Sequence, residues 1–125
     1  MKFLVVDDSA VMRKIIIKAL KEGFENAEYT EATDGMDALD QFEPGAFDVA
    51  LVDWNMPRML GLEFVKEVRE VDKKIIILMV TTETSTGSMD QAKANDIDGY
   101  VGKPFNKTTI AAEINRACAD SAWRR

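Results

Sequence analysis

Residues 3–8 read FLVVDD, four consecutive apolar residues that end abruptly in two aspartates. A run this short and this apolar is typical of a β-strand buried on both faces, as in a parallel sheet. Residues 49–53 repeat the arrangement, because VALV is followed at once by Asp53. These segments therefore predict two buried strands whose carboxyl ends carry acidic side chains.

The rest of the chain alternates between short apolar runs and segments with helical spacing. The predicted strands cover residues 3–6, 27–32, 49–52, 75–80 and 99–102, and the run 75–80 is the most hydrophobic. Helices are predicted after Ser9 or Asp8, after Asp34-Gly35, from Gly61, after Ser88 and from about Asn106. Five strands that are each followed by a helix predict an α/β fold with a parallel sheet covered on both faces.

Two helices have apolar stripes that predict their buried faces. In the first helix the stripe comprises Val11, Met12, Ile15, Ile16, Ala19 and Leu20. In the last helix it comprises Ile110, Ile114 and Cys118, so the single cysteine is expected in the core. Residues 84–88 read TSTGS, and this polarity predicts a mobile loop and a late-starting fourth helix.

Length and composition limit the class of protein. We expect 125 residues to form one domain, residues 1–125, with no output domain and a monomeric state. The net charge of −6 disfavours binding to nucleic acid or to anionic lipid. One cysteine, and an apolar amino-terminal run too short for a signal peptide or membrane span, predict a cytoplasmic protein. The chain has no histidine, which excludes histidine-based catalytic triads and histidine metal sites and means that the chain cannot itself carry a phosphohistidine.

Polar residues follow the predicted strands at the points where they end. Asp7 and Asp8 follow the first strand, Asp53 the third, Thr81 the fourth and Lys103 the fifth. In an open α/β sheet, ligands bind beyond the carboxyl ends of the strands, where the strand order reverses. If the first and third strands are neighbours there, the three carboxylates converge on one pocket.

Such a pocket predicts phosphoryl chemistry. Three adjacent carboxylates repel one another, and a hard cation such as Mg²⁺ relieves the repulsion through oxygen ligands. Lys103 and Thr81 supply an ammonium group and a hydroxyl that bind oxygens of a transferring phosphoryl group. Asp53, alone at the tip of a buried strand, is then the best-placed nucleophile to form an aspartyl phosphate.

Each of these residues alone has a simpler interpretation. An Asp-Asp pair after a strand serves as a turn and helix cap, and a single aspartate there is usually a loop residue. Lys103-Pro104 by itself ends a strand. The placement of all of them at one edge of the same sheet favours the chemical interpretation.

Four segments resemble the receiver domains of two-component signalling, and among them the single-domain chemotaxis regulators. The segments are VVDDS at 5–9, DWNMP at 53–57, MVTTE at 79–83 and GYVGKPF at 99–105. The resemblance implies a flavodoxin-like (βα)5 three-layer sandwich with strand order 2-1-3-4-5. It also implies one Mg²⁺, held by the side chains of Asp8 and Asp53, by the backbone carbonyl of Asn55 and, through a water molecule, by Asp7.

The same resemblance implies a signalling role. Asp53 resembles the phosphoacceptor, Lys103 the lysine that pairs with the phosphoryl group, and Thr81 with Tyr100 the switch pair. A histidine kinase would donate the phosphoryl group, a phosphatase is a further candidate partner, and the chain catalyses only its own phosphorylation and dephosphorylation. The target, such as a flagellar switch protein, would bind the fourth helix, fifth strand and last helix.

Other functions stay open at this point. A phosphorelay intermediate or a phosphate sink would have the same site. An aspartyl-nucleophile phosphatase would place its nucleophile after the first strand, with a second aspartate two residues further on. Here the candidate nucleophile, Asp53, follows the third strand, and the residue two positions after it is Asn55. A flavodoxin-like cofactor carrier needs a phosphate-binding loop after the first strand, where Asp7 and Asp8 would repel phosphate.

Overall fold

The computed structural model describes residues 1–54, 61–81, 97–103 and 105–120, with only the backbone described at Leu62 and Thr81. In chain order, the elements in these residues are β1 (Lys2–Val6), α1 (Ala10–Gly23), β2 (Glu28–Ala32), α2 (Gly35–Gln41), β3 (Val49–Asp53), α3 (Gly61–Val71), β4 (Ile76–Thr81), β5 (Gly99–Gly102) and α4 (Lys107–Asp120). The loop predicted at 84–88 and the helix predicted after it lie outside the described residues.

The five strands form one parallel sheet in the order β2-β1-β3-β4-β5, which confirms the predicted fold class and strand order. The order reverses between β1 and β3, which are neighbours, and Val6 lies opposite Val52. Every residue of β3 is buried, as expected for a central strand with helices on both faces. The residues that follow β1 and β3 therefore emerge side by side.

The core has two halves, one on each face of the sheet. Alternate residues of β1 point to opposite halves, so that Phe3 and Val5 join one and Leu4 and Val6 the other. Buried residues of α1 and α4 complete the first half, and residues of α2 and α3 complete the second. Within the described ranges, no helix is both long and apolar enough to cross a membrane.

Short polar side chains begin the first two helices. The Ser9 hydroxyl accepts a hydrogen bond from the backbone N–H of Met12 at 3.2 Å. The Asp34 carboxylate does the same for Asp37 at 2.8 Å. Each bond satisfies an amide that has no partner within the first turn of its helix. Because Ser9 is the cap of α1, the carboxylate of Asp8 is not used for that purpose.

The predicted apolar stripes need two corrections. Val11 and Ile15 are exposed, because α1 turns a narrower stripe of Ile16, Ala19 and Leu20 towards the sheet. Cys118 is only half-buried, although it packs against the core. The fully buried residues of α4 are Ile110, Ile114 and Ala117, so Ala117, next to Cys118 in the chain, takes the core position that was predicted for the cysteine.

Two buried charged residues fix the amino end of the sheet. The Asp72 carboxylate accepts hydrogen bonds from the backbone N–H groups of Gly45 at 3.0 Å, Lys74 at 2.9 Å and Ile75 at 3.1 Å. The Arg69 guanidinium donates to the carbonyl of Ile75 at 2.7 Å and pairs with Asp98 at 2.9 Å. These bonds join the loops that precede β3, β4 and β5.

Candidate functional site

An acidic cluster lies at the carboxyl ends of β1 and β3. One carboxylate oxygen from each of Asp7, Asp8 and Asp53 lies within 4.8 Å of the other two. Asp7 is 2% exposed and Asp53 is 9% exposed, whereas Asp8 is open to solvent. The cluster therefore has a buried floor and one accessible side, as a site that receives a group from another molecule requires.

The position of Asp7 follows from the backbone around it. Its N–H donates to the carbonyl of Ala32 at 3.1 Å, which extends the β1–β2 pairing by one residue. Its Oδ1 accepts a hydrogen bond from the N–H of Ser9 at 2.9 Å, just before α1 begins. Its other oxygen, Oδ2, is buried without a hydrogen-bond partner among the described residues. Oδ2 therefore remains available to the site.

Lys103 brings a positive charge to this cluster from the end of β5. Its Nζ lies 3.5 Å from Oδ1 of Asp53 and 3.6 Å from Oδ2 of Asp7. These distances are longer than those of a close charge-assisted hydrogen bond, so the ammonium group lies between the two carboxylates without binding either tightly. In this described part of the site, one ammonium against three carboxylates leaves two negative charges in excess.

The residues present fit a hard divalent cation. The cluster offers only oxygen ligands, it carries excess negative charge, and the buried Oδ2 of Asp7 has no hydrogen-bond donor in the described ranges. Mg²⁺ prefers carboxylate oxygens and keeps several water molecules, for which the exposed side near Asp8 has room. Asn55, the remaining predicted ligand, lies outside the described residues.

The predicted switch residues both lie on the strands beside the cluster. Thr81 ends β4 one residue beyond Val80, which lies opposite Asp53. Tyr100 lies opposite Met79 on β5, is half-buried and packs against the core half formed with α2 and α3. Its N–H donates to Oε1 of Glu113 at 3.3 Å. The backbone thus places Thr81 at the carboxyl edge of the sheet and Tyr100 two residues nearer the amino end of the sheet, opposite Met79.

Gly61 is a residue of the site that sequence reasoning treated only as a helix start. Its N–H donates to the carbonyl of Trp54 at 3.1 Å. A Cβ at this position would collide with the carbonyl oxygen of Asp53 and would lie 2.9 Å from Cε of Met79. A side chain here would therefore displace the main chain of Asp53. The signal in the sequence, a glycine at the first position of a helix, is too common to identify this contact.

Arg13 is a second residue that the motifs did not identify. It lies on α1, and its Nη1 donates to the main-chain carbonyl of Asp7 at 2.7 Å. Its Nε donates to Oε1 of Glu31 on β2 at 3.0 Å. A basic residue on an amphipathic helix ordinarily extends into solvent, so its position in the sequence gave no indication of these contacts.

The sequence pattern of the response regulator receiver domain matches residues 3–115. The chain belongs to this family. It is 39% identical over 119 residues to the chemotaxis protein CheY of Pseudomonas aeruginosa, covering 93% of this chain and 94% of that protein. Receiver domains act as signalling switches and bind Mg²⁺ at an acidic pocket, and the carboxylates of Asp7, Asp8 and Asp53 here form an acidic cluster with the ligands that a metal ion requires.

Solved structures agree with this assignment. The chemotaxis protein CheY4 of Vibrio cholerae superposes with a TM-score of 0.84 at 40% identity, over 93% of this chain and 97% of that one. The response regulator TrrA of Thermotoga maritima, solved in complex with Mg²⁺ and BeF, superposes with a TM-score of 0.80 at 31% identity. That match covers 93% of this chain and 97% of TrrA.

The acidic cluster predicts a dependence of stability on Mg²⁺. Mg²⁺ at ten times its dissociation constant is expected to raise the free energy of unfolding by about 1.4 kcal/mol, because the folded state alone brings the carboxylates together. Urea unfolding in Mg²⁺ and in EDTA, at matched ionic strength, measures the difference. Equal stability under both conditions would contradict a metal site at these residues.

Proposed function

We propose that residues 1–125 act as one receiver domain, in the cytoplasm, that accepts a phosphoryl group on Asp53 from a histidine kinase. The observation that carries the proposal is the convergence of Asp7, Asp8 and Asp53 with Lys103 at one edge of the sheet. Asp53 is the best-placed nucleophile because it ends a fully buried strand and its Oδ1 lies 3.5 Å from Nζ of Lys103. The other two carboxylates lie on the loop after β1.

The transfer is a single displacement at phosphorus. A carboxylate oxygen of Asp53 attacks the phosphorus of the donor phosphohistidine, the new O–P bond forms and the N–P bond breaks. The histidine nitrogen keeps the electron pair and takes up a proton. Lys103 stabilises the charge that develops on the phosphoryl oxygens, and the hydroxyl of Thr81 is assigned the same role.

One Mg²⁺ is part of the proposed site, and when bound it would supply positive charge to offset the negative charge of the carboxylates and the phosphoryl oxygens. The side chains of Asp8 and Asp53 and the backbone carbonyl of Asn55 would hold it directly, and Asp7 would hold it through a water molecule. Oδ2 of Asp7, which has no hydrogen-bond partner among the described residues, and the accessibility of Asp8 support this division of roles. The related TrrA was solved in complex with Mg²⁺ and BeF, which supports binding of Mg²⁺ at this site in general.

The proposed output is a change in binding to a target protein. Thr81 and Tyr100 form the switch pair, and the target binds the surface that includes β5 and α4. Similarity to chemotaxis proteins of Pseudomonas aeruginosa and Vibrio cholerae supports control of the flagellar motor as the output. The target is then a flagellar switch protein, and loss of phosphate to water, or to a partner phosphatase, resets the switch. A relay intermediate or phosphate sink is the alternative.

Mass spectrometry of the intact protein tests the phosphoryl transfer. Incubation with acetyl phosphate is expected to add one phosphoryl group in the presence of Mg²⁺ and none in EDTA. Asp53→Asn, which keeps the size of the side chain but lacks the nucleophilic carboxylate, is expected to add none. Sustained release of phosphate at a high rate would instead indicate a phosphatase.

The result that would overturn the proposal is equally direct. A folded protein that shows no adduct, under conditions in which a related CheY protein is labelled, would exclude acceptor chemistry. Labelling that persists in Asp53→Asn would place the acceptor elsewhere. Far-UV circular dichroism of both proteins confirms that they are folded.

A further inference from the structure

Arg13 connects three parts of the protein around the acidic cluster. Its backbone N–H donates to the carbonyl of Ser9 at 3.0 Å in the first turn of α1. Its side chain turns back, donating to the carbonyl of Asp7 and to the carboxylate of Glu31 on β2. Only 12% of the side chain remains exposed. Burial of a guanidinium to this degree is uncommon unless specific hydrogen bonds compensate for its lost hydration.

The carbonyl that Arg13 binds belongs to the peptide between Asp7 and Asp8. The orientation of this peptide determines where the Cα atom of Asp8 lies and therefore where the Asp8 carboxylate points. On its other side, Asp7 is fixed by its N–H bond to Ala32 and by the bond from the Ser9 N–H to its Oδ1. With the bond from Arg13, the backbone is held on both sides of Asp7, and Oδ2 is the carboxylate oxygen that no described group binds by a hydrogen bond.

The contact also supplies this support with little added positive charge. Glu31 pairs with the guanidinium at 3.0 Å and so compensates its charge. An unpaired guanidinium bound to the Asp7 carbonyl would weaken the attraction of the three carboxylates for a metal ion. A guanidinium whose charge is neutralised by Glu31 weakens that attraction much less. Arg13 is thus placed to orient the ligands and still leave their negative charge to the metal.

We propose that Arg13 is a positioning residue that sets the Mg²⁺ affinity of the receiver site by holding the Asp7–Asp8 peptide. The inference deepens the proposed function, because it requires that the acidic cluster bind Mg²⁺. Residues that orient metal ligands without touching the metal typically contribute about 10–100-fold to metal affinity. An effect at the lower end of this range is expected here, since the bond reaches the ligands through the backbone.

Fluorescence of Trp54 can report Mg²⁺ binding, because this residue directly follows Asp53 and is half-buried. The second tryptophan of the chain, Trp123, is replaced by phenylalanine in all proteins so that one signal remains. In this background Arg13→Gln is expected to raise the dissociation constant for Mg²⁺ about tenfold. At saturating Mg²⁺ its labelling by acetyl phosphate should return to the rate of the parent protein.

The direction of the change separates positioning from simple electrostatics. Removing a positive charge near three carboxylates would by itself tighten Mg²⁺ binding, so weaker binding requires that the ligand geometry has changed. Arg13→Lys keeps the charge and one donor, and it is expected to recover part of the affinity. It also serves as the test if Arg13→Gln does not fold.

Arg116→Gln is the matched control. Arg116, on α4, also donates to a main-chain carbonyl, that of Asp98 at 2.8 Å. Asp98 comes just before β5, at the end of the sheet opposite the cluster. This variant should bind Mg²⁺ like the parent protein. Unchanged affinity in both Arg13 variants, or equal losses in the Arg116 variant, would overturn the positioning role. Absence of Mg²⁺ binding by the parent would instead refute the proposed function, and this inference with it.

Discussion

Replacing Lys103 with methionine is expected to slow the phosphorylation of Asp53 by acetyl phosphate about 100-fold at saturating Mg²⁺. Nζ of Lys103 lies 3.5 Å from Oδ1 of Asp53 and 3.6 Å from Oδ2 of Asp7. In the proposed reaction this position lets the ammonium group stabilise the charge that develops on the phosphoryl oxygens. Methionine has a similar length without the charge. The rate of adduct formation, followed by intact mass over a range of acetyl phosphate concentrations, measures the effect.

Lys107→Met provides the matched control for this prediction. Lys107 lies four residues further along the chain, at the exposed start of α4, and its Nζ is 3.9 Å from Glu22. Its replacement should leave the rate unchanged. If Lys103→Met were labelled as fast as Lys107→Met, Lys103 would have no role in stabilising the transferring group, and its place beside Asp53 would be structural only.

Asp98→Ala is expected to lower the free energy of unfolding by about 3–5 kcal/mol. The Asp98 side chain is 1% exposed and that of its partner Arg69 is 9% exposed. Oδ2 of Asp98 also accepts a hydrogen bond from the N–H of Ile77 at 2.8 Å. Loss of the carboxylate therefore removes an ion-pair partner of a buried guanidinium and the acceptor of a buried amide. Urea denaturation followed by circular dichroism measures the change.

An exposed pair gives the comparison. Asp120 lies 2.6 Å from Nη1 of Arg116, but about half of each side chain is in solvent. Asp120→Ala is expected to cost less than about 1 kcal/mol, because water already solvates both groups. The double variant Arg69→Met with Asp98→Ala should be more stable than Asp98→Ala alone. A cost for Asp98→Ala as small as that for Asp120→Ala would show that the buried pair contributes little.

Local sequence patterns were sufficient for the helices and strands that the described residues contain and for the edge of the sheet at which the site lies. The strand that ends at Asp53 and the strand before Asp7 could be predicted because an apolar run gave way abruptly to carboxylates. The pairing of β1 with β3 could not be predicted from these patterns, because nothing in the sequence of either strand specifies which strand lies beside it. The order of strands came from resemblance, and with it the expectation that the carboxylates meet.

Local sequence patterns could not predict contacts between residues that are far apart in the chain. Arg69 and Asp98 are 29 positions apart, and each would be read as an ordinary surface charge. Arg13 looks like one basic residue among several on α1 until the fold brings β2 beside it. The exposure of Val11 and Ile15 has the same origin, because the width of the buried stripe depends on how α1 sits against the sheet.

The bonds of Asp72 and Arg69 have a consequence for engineering this protein. Loop tips are the usual places for inserted domains, affinity tags or new chain termini, because few bonds are lost there. Here the loop at Gly45 and the turn at 73–75 both bind the Asp72 carboxylate, and the turn also binds Arg69. An insertion at either place would leave buried polar groups without partners. Fusions for use as biosensors should therefore avoid these two turns.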